Sequence, residues 1–175
     1  MRCEPGCRRL IGIVIVDVAC VAMMAGCMGY QLGSTLSKNL TSINVPTFIN
    51  KSEEPQIEND TTSATKSEFQ KDGTLSLATA DEADLILNVT LIKFTLEPLQ
   101  FLKTDPKTVN EYRLKLTAEI VVTQVKTKKV MLKKTVEGQT TFYPGGDINS
   151  AKLTAMPNAA TDLAHNIVES VIEAW

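Results

Sequence analysis

Between Tyr112 and Val122 the chain alternates without a slip. Tyr112, Leu114, Leu116, Ala118, Ile120 and Val122 share one parity, while Glu111, Arg113, Lys115, Thr117 and Glu119 share the other. Successive side chains of an extended backbone point to opposite faces, so this pattern predicts an antiparallel strand with one apolar and one wet face. A sheet built on it needs a second layer over the apolar side.

The flanking segments supply the rest of that sheet. Residues 126–129 form a tight turn, and 130–142 return as the next strand. Upstream, Leu85, Leu87, Val89 and Leu91 alternate on one face, after which Ile92, Phe94 and Leu96 take over the opposite parity. A change of phase by one residue predicts a bulge near Leu91 and Ile92, or burial on both faces. Pro98 is expected to end this strand, and residues 101–108 to form a loop. Residues 40–48 read as the first strand, and Pro46, which has no amide hydrogen, puts it at an edge or ends it.

Two stretches read as helices. Residues 56–72 stop at Gly73, with Ile57, Thr61, Ala64 and Glu68 on one face and Phe69 beside them. Three threonines inside this helix lower its intrinsic propensity, so it depends on tertiary packing. Later, Tyr143-Pro144-Gly145-Gly146-Asp147 breaks the chain, and Asn149 or Ser150 is positioned to cap a helix. Leu153, Met156, Ala160, Leu163, Ile167, Val171 and Ala174 recur at helical spacing. Pro157 predicts a kink or a fresh start near Asn158. The expected fold is α+β: a two-layer domain with a four-stranded, mainly antiparallel sheet and two helices packed on one face, in the order β-α-β-β-β-α.

The first 26 residues belong to a different kind of segment. Arg2, Arg8 and Arg9 precede an apolar run from residue 10 to 24, which closes on Ala25-Gly26-Cys27. A charged start, a short apolar stretch and small residues at a cut describe a secretory signal. A membrane-spanning helix fits less well, because a span needs about 20 apolar residues and Asp17 at its centre would cost roughly 2.5–3.5 kcal/mol. The cysteine directly after the cut makes the segment look like a bacterial lipoprotein signal. On that reading residues 1–26 are removed, Cys27 carries a thioether-linked diacylglycerol and an N-acyl chain such as palmitate, residues 27–39 form a lipidated tether, and 40–175 form the domain. The other cysteines, Cys3, Cys7 and Cys20, lie in the removed part, and acylation accounts for the one left over. Met28, not aspartate, follows Cys27, which agrees with sorting to the outer membrane.

Composition excludes some functions. A net charge of −2 leaves no electrostatic footprint for nucleic acid. The single histidine, His165, reads as structural, and without a second histidine or a thiol in the domain neither a zinc site nor a paired nucleophile is easily built. Glu53, Glu54, Asp81 and Glu82 fall in polar corners, and Gly145-Gly146 reads as a turn and not a phosphate loop. No metal, cofactor or catalytic residue is therefore expected, and the protein is expected not to be an enzyme.

Several short motifs occur in an order that resembles one family. They are Gly29-Tyr30-Gln31-Leu32 after Cys27, Val45-Pro46-Thr47-Phe48-Ile49-Asn50, Glu54-Pro55, and Phe69-Gln70-Lys71-Asp72-Gly73. Ala83-Asp84-Leu85, Thr95-Leu96-Glu97-Pro98-Leu99, Glu111-Tyr112-Arg113-Leu114 and the closing residues 164–175 follow. Together they resemble the lipopolysaccharide-assembly lipoproteins, LptE. The turn Lys126-Thr127-Lys128-Lys129 departs from the pattern, since glycine or asparagine is common there. The resemblance implies an outer-membrane lipoprotein on the periplasmic face. It would plug and help assemble an LptD-like β-barrel, and would contact lipopolysaccharide on its way to the outer leaflet. The strand-turn-helix at 45–73 is also similar to the CsgG and LpoB group, which implies the alternative of a regulatory lipoprotein that activates a periplasmic partner. Lys126, Lys128, Lys129, Lys133 and Lys134 cluster near the last hairpin. They serve either as a solvated strand end that discourages edge pairing or, at Lys126, Lys128 and Lys129, as a site for the phosphates of an anionic glycolipid.

Overall fold

The computed structural model describes residues 40–174, which form an α+β domain. The expected signal segment, Cys27, the expected tether and Trp175 lie outside the described residues. Eight elements follow one another: β1 (Ser42–Asn44), β2 (Ile49–Asn50), α1 (Ile57–Asp72), β3 (Ser76–Leu77), β4 (Leu85–Phe101), β5 (Val109–Gln124), β6 (Val130–Phe142) and α2 (Ile148–Ile172). The sheet has six strands in the order β3-β1-β4-β5-β6, with β2 also paired to β4.

The expected four strands are thus six, and the sheet is mixed. β4, β5 and β6 form the antiparallel meander that the alternation predicts. β1, β2 and β3 run parallel to their neighbours. The single strand expected over 40–48 is divided: Pro46 stops β1 after three residues, and the chain re-enters the sheet only at β2. α1 then carries the chain over to β3, the kind of crossover that parallel pairing requires. β1 is not an edge strand, because β3 and β4 flank it.

β4 bulges where its parity changes. Leu91 faces Ala118 and Lys93 faces Thr117, so Ile92 is the extra residue. Leu85, Leu87, Val89 and Leu91 are buried before it, and Phe94 and Leu96 pack on the same core after it. Pro98 does not end β4, contrary to expectation. It pairs with Tyr112 beside a second irregularity, where β4 has no strand on its other side, and that is where a sheet tolerates a missing amide hydrogen. Beyond Tyr112 and Phe142, β4 and β5 continue as a two-stranded hairpin with Leu99, Phe101 and Leu102 exposed.

Both helices cover the same face of the sheet and pack on each other. In α1 the buried stripe is Ile57, Thr61, Thr62, Thr65 and Phe69. The threonines need not leave polar groups stranded: Thr61 donates to the Ile57 carbonyl (2.7 Å), Thr65 to that of Thr61 (2.8 Å), and Thr62 Oγ1 also accepts the Phe48 N–H (3.0 Å). Gly73 closes α1 in the left-handed region, φ 75°, a conformation nearly free of cost only for glycine.

α2 runs 25 residues through Pro157 without a fresh start. Pro157 lies on the solvent side, where the carbonyl it leaves without a partner can turn to water. Its N-cap is Asp147, not Asn149 or Ser150. The Asp147 carboxylate accepts the N–H groups of both those residues, at 3.0 and 3.3 Å. Leu153, placed in the apolar stripe by spacing, is 66% exposed. The buried face instead runs through Ala155, Met156, Ala159, Ala160, Leu163, Ala164, Ile167, Val168 and Val171.

α2 approaches β6 very closely at Gly138. A Cβ at that position would overlap the main-chain nitrogen and Cα of Leu163 as well as its Cβ. On either side of the contact α2 holds the outer border of β6: Asp162 accepts the Gln139 N–H (2.8 Å), and Asn166 donates to the Glu137 carbonyl (2.7 Å).

Candidate functional site

The lysine-rich turn between β5 and β6 is closed by main-chain geometry. The Gln124 N–H donates to the Lys129 carbonyl (2.9 Å), and Lys128 itself takes the left-handed conformation, φ 56°. A glycine or asparagine is therefore replaced here by a lysine that accepts the strain of positive φ. Thr127 donates to Gln124 (2.7 Å) and braces the turn.

Asp84 fastens this turn to the other side of the sheet. Its carbonyl accepts the Val125 N–H (2.8 Å), and its carboxylate lies 3.7 Å from Lys126 Nζ. The same carboxylate accepts the Thr41 N–H (3.1 Å) and the Ser42 hydroxyl (3.0 Å). These hydrogen bonds, the Thr41 amide first, hold the Asp84 carboxyl below its ordinary value of 3.8.

Of the five lysines, the structure keeps three together. Lys126, Lys128 and Lys129 sit on the turn and are exposed, Lys126 by 79%. Lys133 and Lys134, adjacent on a strand, point to opposite faces: Lys133 pairs with Glu119 (3.2 Å), and Lys134 donates to Ser170 of α2 (3.0 Å). The turn thus gathers three exposed lysines, which suits a phosphate-bearing ligand more than a buried small molecule.

His165 joins the two helices. Its Nδ1 lies 3.2 Å from Glu68 Oε1, and Lys71 approaches the other oxygen of that carboxylate at 3.0 Å. Lys71 first, then His165, lowers the Glu68 carboxyl from its ordinary range. Glu54 is not in the solvated corner expected for it. It pairs with Lys152 at 2.7 Å with both side chains largely covered, and the Lys152 ammonium lies 5.8 Å from the Phe94 ring centre. Among the described residues no group of three His, Cys, Asp or Glu is arranged to hold a metal ion, and no helix is long and apolar enough to cross a membrane.

The architecture recurs in other solved proteins at very low identity. A Xanthomonas campestris protein superposes with a TM-score of 0.60 at 9% identity, covering 81% of this chain and 89% of its own. A minor lipoprotein from Acinetobacter baumannii matches at 0.52 and 15%, covering 75% and 91%. A hypothetical protein from Chlamydia trachomatis matches at 0.52 and 7%, covering 75% and 95%. These likenesses establish the fold alone. No curated protein matches the sequence. The family model for lipopolysaccharide assembly, LptE, matches residues 40–171, the whole sheet and nearly all of both helices. The chain belongs to the LptE lipopolysaccharide-assembly family.

Proposed function

We propose that this protein is a non-catalytic lipoprotein of the outer membrane. Acylated Cys27 holds it at the periplasmic face, where its domain plugs and helps assemble an LptD-like barrel and contacts lipopolysaccharide as it moves to the outer leaflet. The observation that carries this reading is the family match across the domain. The lysine turn supports the lipid contact: phosphates favour charge-assisted hydrogen bonds from lysine, and Lys128 and Lys129 are exposed there.

Three experiments test it. Tagged full-length protein recovered from membranes should bring down a large β-barrel, and Cys27→Ala should abolish incorporation of a labelled fatty acid. Recovery with a cell-wall synthase in place of the barrel would favour the regulatory alternative. Replacing Lys126, Lys128 and Lys129 together with alanine should weaken lipid A binding about tenfold or more, an effect that added salt should mimic in the unaltered protein. Unchanged lipid A affinity in the triple variant would remove the lysine turn from the site.

A further inference from the structure

The far end of β6 carries a second feature of different chemistry. Between the last residues of β6 and the first turns of α2 lies an open groove of about 480 Å³, a volume within the range of small-molecule sites. Tyr143 lies in its lining and is 66% exposed, so much of an aromatic ring is left to the solvent beside Pro144. Asp147, Ser150, Thr154 and Asn158 also line it, spaced three and four residues apart on one side of α2.

These polar groups have capacity to spare. Asp147 Oδ1 accepts the Asn149 N–H, while Oδ2 takes the N–H and hydroxyl of Ser150; a carboxylate offers about four acceptor positions. The Ser150 and Thr154 hydroxyls each donate within the protein and keep their oxygens as acceptors. Asn158 is exposed and offers both a donor and an acceptor. No lysine or arginine lines the groove, so nothing there would neutralise a phosphate.

We propose that this groove binds a neutral sugar unit. The apolar C–H face of a pyranose ring rests on the Tyr143 ring, a sugar hydroxyl donates to Asp147, and Asn158 both gives and receives a hydrogen bond. A flat apolar surface beside a row of acceptors is what an uncharged, polyhydroxylated ring requires. The groove lies about 40 Å along β6 from the lysine turn, so the two sites do not compete for one headgroup. The lipopolysaccharide reading bears on this inference only through the source of the sugar.

The test uses full-length protein in lauryldimethylamine oxide micelles, since a glycoside detergent would itself compete. Two neutral probes are titrated by calorimetry: dephosphorylated, deacylated core oligosaccharide of lipopolysaccharide with its acid-sugar carboxyl groups reduced to alcohols, and a glucan unrelated to it. Core oligosaccharide should bind, Tyr143→Ala should weaken binding at least tenfold, Tyr143→Phe should retain it, and Asn158→Ala should weaken it several-fold. The triple lysine variant should leave it unchanged while losing lipid A. Equal binding of the glucan, with the same Tyr143 dependence, would support a sugar site whose source is not lipopolysaccharide. Absence of binding by both probes, or binding indifferent to Tyr143→Ala, would overturn the proposal whatever becomes of lipid A binding.

Discussion

Alanine at Gly138 should lower the free energy of unfolding by about 3 kcal/mol, read as a fall in the urea midpoint. The added methyl has nowhere to go. Its position is already filled by the main-chain nitrogen and Cα of Leu163, and a backbone inside a helix cannot swing aside as a side-chain tip can. α2 would have to lift from β6, separating Leu163, Ile167 and Val171 from the sheet they cover. Trimming Leu163 to alanine should not rescue the variant, because its backbone is part of the obstacle. An unchanged midpoint for Gly138→Ala would mean that α2 is farther from β6 than described.

Asp84→Ala should cost about 1.5 kcal/mol, the low end for hydrogen bonds to a charged group, because Thr41 and Lys126 are exposed and can turn to water. Its carboxylate serves Thr41, Ser42 and Lys126 at once, and so joins the start of β1 to the β5-β6 turn. The contribution depends on pH in one direction. Because the folded carboxyl titrates below its ordinary value of 3.8, the stabilisation is present above that value and disappears as pH falls through the lower, folded one. The unaltered protein and Asp84→Ala should therefore differ in urea stability at neutral pH and converge in strong acid. A gap that persists in acid would assign the effect to lost packing and not to the carboxylate.

What the residues disclosed in advance depended on how one-sided their surroundings are. β5 was legible because its apolar parity is buried under the helices while the other stays wet, so the alternation is clean. The bulge at Ile92 was legible for the same reason, as a break in phase that one extra residue repairs. The division of the strand expected over 40–48 into β1 and β2, and the pairing of β3 with the sheet, were not, since two or three residues are too few to display a period. Leu153 misled because alanines at 155, 159, 160 and 164 let α2 bury more than one line of spacing, and the packed face lies to one side of Leu153. Gly138 was overlooked, although a glycine within a strand pattern is a signal of close approach. Of the candidate site, the three turn lysines stayed together because a turn gathers neighbours. Lys133 and Lys134 separated because adjacent strand residues diverge, and the Tyr143 groove was invisible because it joins residues across a chain reversal.

The two α2 side chains that grip Glu137 and Gln139 matter for copies of this protein as well as for one. An exposed sheet margin is an invitation to fuse with the margin of the next molecule. Asp162 and Asn166 occupy the donor and acceptor that a visiting strand would need at the middle of that margin. Crowded copies would then find no continuous rail along which to zip together, and each stays free for a different neighbour.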